Sequence, residues 1–117
     1  MDLYLFAGIP VSDYQRSLAW YEQLLGKPPT MIPNDVEAVW DLAEFRAVYI
    51  VVNAEDAGHA HLSLFVEDDD FDTLVGEISG RGIDPETNET YDNGVRKATY
   101  RDPDGNEFGI GGGPMGG

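Results

Sequence analysis

Two histidines and one carboxylate are the side chains whose types and spacing most readily suggest chemistry. His59 and His61 stand two residues apart in a largely apolar run, which puts both imidazoles on one face of a strand. Glu107 opens another strand-like run and is the nearest thing to a third donor for a divalent ion. Two residues along a strand span roughly 6.8 Å, so Glu107 would have to reach across a real gap to join the imidazoles. The plainer reading makes His61 a hydrogen-bonding group and His59 a solvated strand end.

Other chemistries fail on spacing. Asp68, Asp70 and Asp72 alternate as in a calcium loop, but Thr73 stands where the turn glycine belongs and Ser79 where the bidentate glutamate belongs. Carboxylates gathered there suit the start of a helix, whose dipole favours negative charge. Gly111-x-Gly113-x-x-Gly116 has the spacing of a dinucleotide fingerprint, yet too little chain follows it to form the helix that fingerprint needs. The sequence has no G-x-S-x-G elbow, no H-E-x-x-H and no cysteine. Thiol nucleophiles, disulfides and cysteine-ligated zinc are thereby excluded.

Charge narrows the field further. The 117 residues carry 22 acidic against 7 basic side chains, a formal net charge of −15. Nucleic-acid binding needs a basic footprint to displace counterions, and an anionic membrane surface needs the same, so neither partner is expected. A neutral or cationic small ligand fits the sign, although solubility or salt adaptation accounts for it equally well. The longest nonpolar run, Leu3 to Val11, is far too short to span a membrane, and Asp2 precedes it without a basic flank, which speaks against a signal peptide. A cytoplasmic location is the expectation.

Positioning these groups falls to a short list of elements. Leu3 to Val11 reads as a strand with Leu3, Leu5, Ala7, Ile9 and Val11 on one face and Tyr4, Phe6 and Gly8 on the other. Ser12 or Asp13 caps a helix whose stripe is Tyr14, Leu18, Tyr21 and Leu25, ended by Gly26. Trp20 and Tyr21 are read as core. Val36 to Leu42 and Arg46 to Val52 form a hairpin about a turn at Ala43-Glu44. A further strand carries Ala60, Leu62, Leu64 and Val66 on one face and His59, His61, Ser63 and Phe65 on the other. A second helix runs from Asp68 to Gly80, and Thr87 to Tyr91, Val95 to Arg101 and Glu107 to Ile110 are short strands. Val11 and Asp13 recur as Val66 and Asp68, and Leu18 and Gly26 as Leu74 and Gly82, with one residue of slippage. Two copies of a βαβββ unit describe this most economically, giving an α+β fold of mixed, curved four-stranded sheets around a cleft. Residues 1–112 are expected to form one domain (module one about 1–54, module two about 59–112), with 113–117 a flexible glycine-rich tail.

Val11-x-Asp13, Ser17-Leu18, Trp20-Tyr21 and Leu25-Gly26 resemble the first-helix signature of the vicinal oxygen chelate superfamily, which includes glyoxalase I, extradiol dioxygenases and bleomycin-resistance proteins. Tyr100-Arg101-Asp102-Pro103-Asp104-Gly105-Asn106 matches its second-module turn, and the resemblance extends from Leu3 to Ile110. It implies a divalent metal held by His and Glu, with one ligand seven residues before the helix-opening Asp of each module. Those positions hold Phe6 and His61. The closing ligand four residues past Gly105 is replaced by Gly109, and Arg46 to Val52 contains neither carboxylate nor histidine. One imidazole cannot hold a hard divalent ion tightly, so no metal, no cofactor and no catalytic residue is expected.

Within this resemblance the chain is closest in character to metal-free bleomycin-resistance-type proteins that sequester a small molecule. The expected ligand is aromatic or cationic, lying in a bowl of Tyr4, Phe6, Trp40, Tyr49, His61, Ser63 and Glu107, where flat rings stack and acidic groups attract charge. The alternative is a glyoxalase-like lyase, isomerase or dioxygenase with an atypical metal site, or an enzyme using His61 as a general base. The resemblance also implies a homodimer whose clefts draw on both chains.

Overall fold

The computed structural model describes residues 1–113, so 114–117 of the expected tail lie outside the described residues. Its elements run β1 (Leu5–Val11), α1 (Tyr14–Leu25), β2 (Met31–Asn34), β3 (Glu37–Ala43), β4 (Arg46–Val52), β5 (His61–Glu67), α2 (Asp68–Gly80), β6 (Thr87–Thr90), β7 (Arg96–Arg101) and β8 (Glu107–Gly113). They form two sheets ordered β1-β4-β3-β2 and β5-β8-β7-β6. In each, the first strand pairs parallel with the last and the remaining pairs are antiparallel. Two βαβββ modules are the architecture. None of the helices among the described residues is long and apolar enough to cross a membrane.

Local chemistry sets the element ends. The Asp13 carboxylate accepts from the Arg16 amide at 3.2 Å, capping α1, and Gly26 takes the left-handed φ of 75° that closes it. Gly82, its counterpart one repeat later, has φ 96° just past α2. The first turn of α2 carries Asp68, Asp69 and Asp70, the placement its dipole favours.

Several strand ends shift by one or two residues from the sequence reading, and the larger differences fall at β2, the β3–β4 turn and β8. β2 had no strand signal, because Pro33 interrupts it and all four of its residues are exposed; its register with β3 shifts between Met31 and Asn34. The hairpin turns at Glu44-Phe45, with Phe45 at φ 61°, its carbonyl accepting from the Leu5 amide at 2.9 Å. β8 continues three residues past Ile110 to Gly113. Glycine weakens a strand on its own, but a Cβ at Gly112 would sit 2.5 Å from that of Phe71, so the close seat of α2 on β8 requires it.

One core joins the modules. Ile9, Trp40, Val48 and Ile50 from the first sheet and Tyr100, Phe108 and Ile110 from the second pack with Tyr21, Leu24, Phe71 and Ile78 of the helices. Tyr21 bridges them, its ring 6.0 Å from Trp40 and 6.3 Å from Phe108. The Asp102–Asn106 turn fastens the joint: the Asn106 amide donates to Pro10 O and Asp102, both at 2.8 Å, and its oxygen accepts from the Ala60 amide at 2.9 Å.

Candidate functional site

Each sheet has one face on this core and one turned away from the helices. Strand alternation and register decide which residues share the outward faces.

On the first sheet the outward face is aromatic. Tyr4 and Phe6 stack with ring centroids 4.6 Å apart and planes inclined by 21°. Tyr49 meets Phe6 edge-on at 6.4 Å, and Phe45 meets Tyr4 edge-on at 6.1 Å. Tyr49 pairs with Gly8 across β1 and β4, and a Cβ at Gly8 would fall 2.6 Å from its ring. Glycine there lets the tyrosine lie flat across the strand. Phe6 and Tyr4 are 51% and 44% exposed, enough to offer ring area to a ligand. The Tyr4 hydroxyl donates to Asp41 at 2.6 Å, and that hydrogen bond, aided by burial and the carboxylate charge, raises its pKa.

Trp40 does not belong to this group. Val39 is the β3 residue opposite Tyr49, whereas Trp40 pairs with Val48 on the core face. It is fully buried, and its indole donates to the Lys27 carbonyl at 3.0 Å. The sequence reading groups Trp40 with Tyr4, Phe6 and Tyr49 in the bowl; the structure instead turns it to the core.

On the second sheet the outward face is polar. His61 pairs with Glu107 across β5 and β8, and its Nε2 lies 2.5 Å from the carboxylate. Arg101 reaches the same carboxylate at 3.1 Å and Lys97 at 3.6 Å, while Glu86 lies 3.5 Å from Arg101. Glu107 is thus largely shielded at 16% side-chain exposure, and His61 is open at 64%. Ser63 shares the face and crowds Gly109, where a Cβ would stand 2.8 Å from its hydroxyl oxygen. β5 begins at His61, so the exposed His59 precedes the strand rather than extending its face.

Two clusters are therefore assembled, Tyr4–Phe6–Tyr49 and His61–Ser63–Glu107. Among the described residues no hydrogen bond, ion pair or ring contact joins them. Lys97 and Arg101 were overlooked as site residues, although period two in β7 already puts them on one face; their convergence on Glu107 needs the register of β7 with β8.

The donors do not fit a divalent ion. Phe6 offers an arene and Gly109 no side chain. The Glu107 carboxylate is already engaged by two permanent cations, which compete with a metal for its lone pairs. Among the described residues no three His, Asp or Glu side chains converge as a metal set.

Comparison with known proteins agrees with this fold. A crystal structure of a glyoxalase / bleomycin resistance protein from Catenulispora Acidiphila DSM 44928 is 50% identical, covering 97% of this chain and 100% of that one, with a TM-score of 0.91. Lactoylglutathione lyase from Agrobacterium tumefaciens is similar in fold at 15% identity, covering 100% and 98%, with a TM-score of 0.79. Oxidase ChaP-H1 is similar at 24% identity, covering 100% and 99%, with a TM-score of 0.71. Among curated proteins none matches the sequence. The description Glyoxalase/Bleomycin resistance protein/Dioxygenase superfamily fits residues 4–110, and the chain belongs to that family.

Proposed function

We propose that the protein is a metal-free binding protein that sequesters a small planar aromatic molecule on its outward sheet faces. The observation that carries this reading is the open Tyr4–Phe6 stack, with Tyr49 edge-on beside it, at the end of the sheet where the family pattern would place a metal ligand. Aromatic faces exposed in this way favour stacking on a flat ring, and the neighbouring Asp41 favours one that carries positive charge. His61, Ser63 and Glu107 supply the polar contacts.

Pairing of two chains completes the site in this proposal. β1 and β5 are edge strands, and Leu5, Phe6 and Phe65 along them are exposed at 66%, 51% and 47%. A homodimer covers those edges and brings the aromatic cluster of one protomer to the polar cluster of its partner. Cytoplasmic location and a single domain over 1–112 remain part of the proposal.

Proflavine, a planar aromatic cation, tests the reading by calorimetry together with aromatic NMR. Saturable binding that shifts Tyr4, Phe6 and Tyr49 and is lost in Phe6→Ala supports it. Elemental analysis that returned one stoichiometric divalent metal per chain, bound through His61, would overturn it.

The His61–Glu107 pair favours a second reading. An imidazole held by a carboxylate through Nε2 leaves Nδ1 free to take a proton from a bound substrate, without a metal. A His61→Gln variant that binds ligand normally but lacks a turnover shown by the native protein would establish it.

A further inference from the structure

Phe45 is an unfavourable residue for its place in the fold. Where a tight turn between strands needs a positive φ, glycine, asparagine or aspartate is the ordinary choice, because a bulky side chain crowds the backbone there. Phe45 holds φ 61° and is the one non-glycine residue with a positive φ among those described. It is also 39% exposed at the tip of the β3–β4 hairpin, where an apolar ring gains little from burial. Its carbonyl accepts from the Leu5 amide, a bond that any residue at this position could make. Neither the turn nor the core accounts for the ring. Backbone strain of this kind gathers at ligand contacts.

The ring instead extends the aromatic cluster of the outward face. Phe45 meets Tyr4 with centroids 6.1 Å apart and planes at 84°, Tyr4 stacks on Phe6, and Tyr49 meets Phe6 at 6.4 Å and 66°. The four rings follow one another as Tyr49, Phe6, Tyr4 and Phe45, a stacked pair with a crossing ring at each end. Tyr49 and Phe45 stand four residues apart along β4 and its turn, on the order of 12 Å of chain. A single ring cannot touch both ends. We propose that Phe45 is a ligand contact of this face and that, with Tyr49 at the other end, it selects an extended cation of several fused rings over a single ring. The inference rests on the sequestration reading above and narrows its ligand class. Among the described residues the Tyr4 hydroxyl engages one Asp41 oxygen, which leaves the other to accept from an amino group on the ligand beside Tyr4. The strain at Phe45 is then the cost of holding a ring over the ligand's end.

Proflavine, with three fused rings, and benzamidine, a planar cation with one, are the probes, read by calorimetry and aromatic NMR. The native protein should bind proflavine the more tightly. Phe45→Asn and Phe45→Gly suit a positive φ and should keep or raise the melting temperature. Both should weaken proflavine about threefold to tenfold, the scale of one aromatic contact, and benzamidine by less than about twofold. Phe45→Trp, which retains a ring, should keep the native affinity. Light scattering of the variants should return the native mass. Unchanged proflavine affinity in Phe45→Asn and Phe45→Gly, with binding still lost in Phe6→Ala, overturns this inference and leaves the sequestration reading standing. A loss as large for benzamidine as for proflavine overturns the selection by length. Absence of proflavine binding by the native protein overturns both readings together. A lowered melting temperature in both variants would make Phe45 a folding contact, and a halved mass would make it a contact between two copies of the chain; either result overturns the inference.

Discussion

The Tyr21 hydroxyl of α1 donates to the Asp102 carboxylate at 2.7 Å, a buried hydrogen bond between residues 81 apart in sequence that ties the first module to the turn of the second. Asp102 also accepts from the amides of Asp104 and Asn106, so one carboxylate organises the turn and the joint together. The turn that carries the family resemblance thus has a structural task in this chain.

Tyr21→Phe removes one bond from that carboxylate and is expected to cost about 1.5–3 kcal/mol, the range for a hydrogen bond to a charged group. Burial, then the charge of Asp102, pushes the Tyr21 hydroxyl far above its ordinary value. A raised folded-state pKa means that the unfolded chain loses its proton first. The contribution is therefore complete below roughly pH 10, the unfolded tyrosine value, and is lost as pH rises beyond it. Urea unfolding between pH 8 and 11 should show stability falling at the alkaline end, with a shallower fall in Tyr21→Phe. Equal slopes would contradict the assignment.

Gly109 is held glycine by its neighbours on the outward face. Gly109→Ala should destabilise by about 1–3 kcal/mol through overpacking against the Ser63 hydroxyl. Adding Ser63→Ala should recover most of that loss in thermal melts. A double variant no more stable than Gly109→Ala alone would locate the strain elsewhere.

Lys97 and Arg101 lie against the Glu107 carboxylate at 3.6 and 3.1 Å and would compete with a metal ion for it. Replacing both with methionine should leave His61 and Glu107 free to bind zinc, raising affinity at least about tenfold over the native protein. Zinc calorimetry measures this directly. No gain would mean that the missing donors at Phe6 and Gly109 are the whole obstacle.

Light scattering at micromolar concentration should return twice the chain mass of 12.9 kDa. Phe6→Asp, which puts a charge on an exposed edge strand, should shift it toward the monomer. A native protein that is monomeric at that concentration would remove the dimer from the proposal.

Period and capping residues made much of the fold legible in the sequence. Alternation in Leu5–Val11 and His61–Glu67 separates inner from outer side chains because a strand repeats every two residues whatever lies beside it. Asp13 and Gly26 bound α1 by chemistry local to the chain, and the spacing of Asp13 to Asp68 exposes the repeat. The replacements at Phe6 and Gly109 needed no structure either. Tertiary packing decided what local rules cannot reach. Trp40 and Tyr49 lie on adjacent strands of a hairpin, and only the observed register, Val39 opposite Tyr49, sends the indole to the core. β8 survives its glycines because Phe71 and Phe65 occupy the space their side chains would need. Lys97 and Arg101 reach Glu107 because β7 pairs with β8 in a particular register. Sequence period fixes which face a residue takes within its own strand; register, set by contacts distant along the chain, fixes what that face meets.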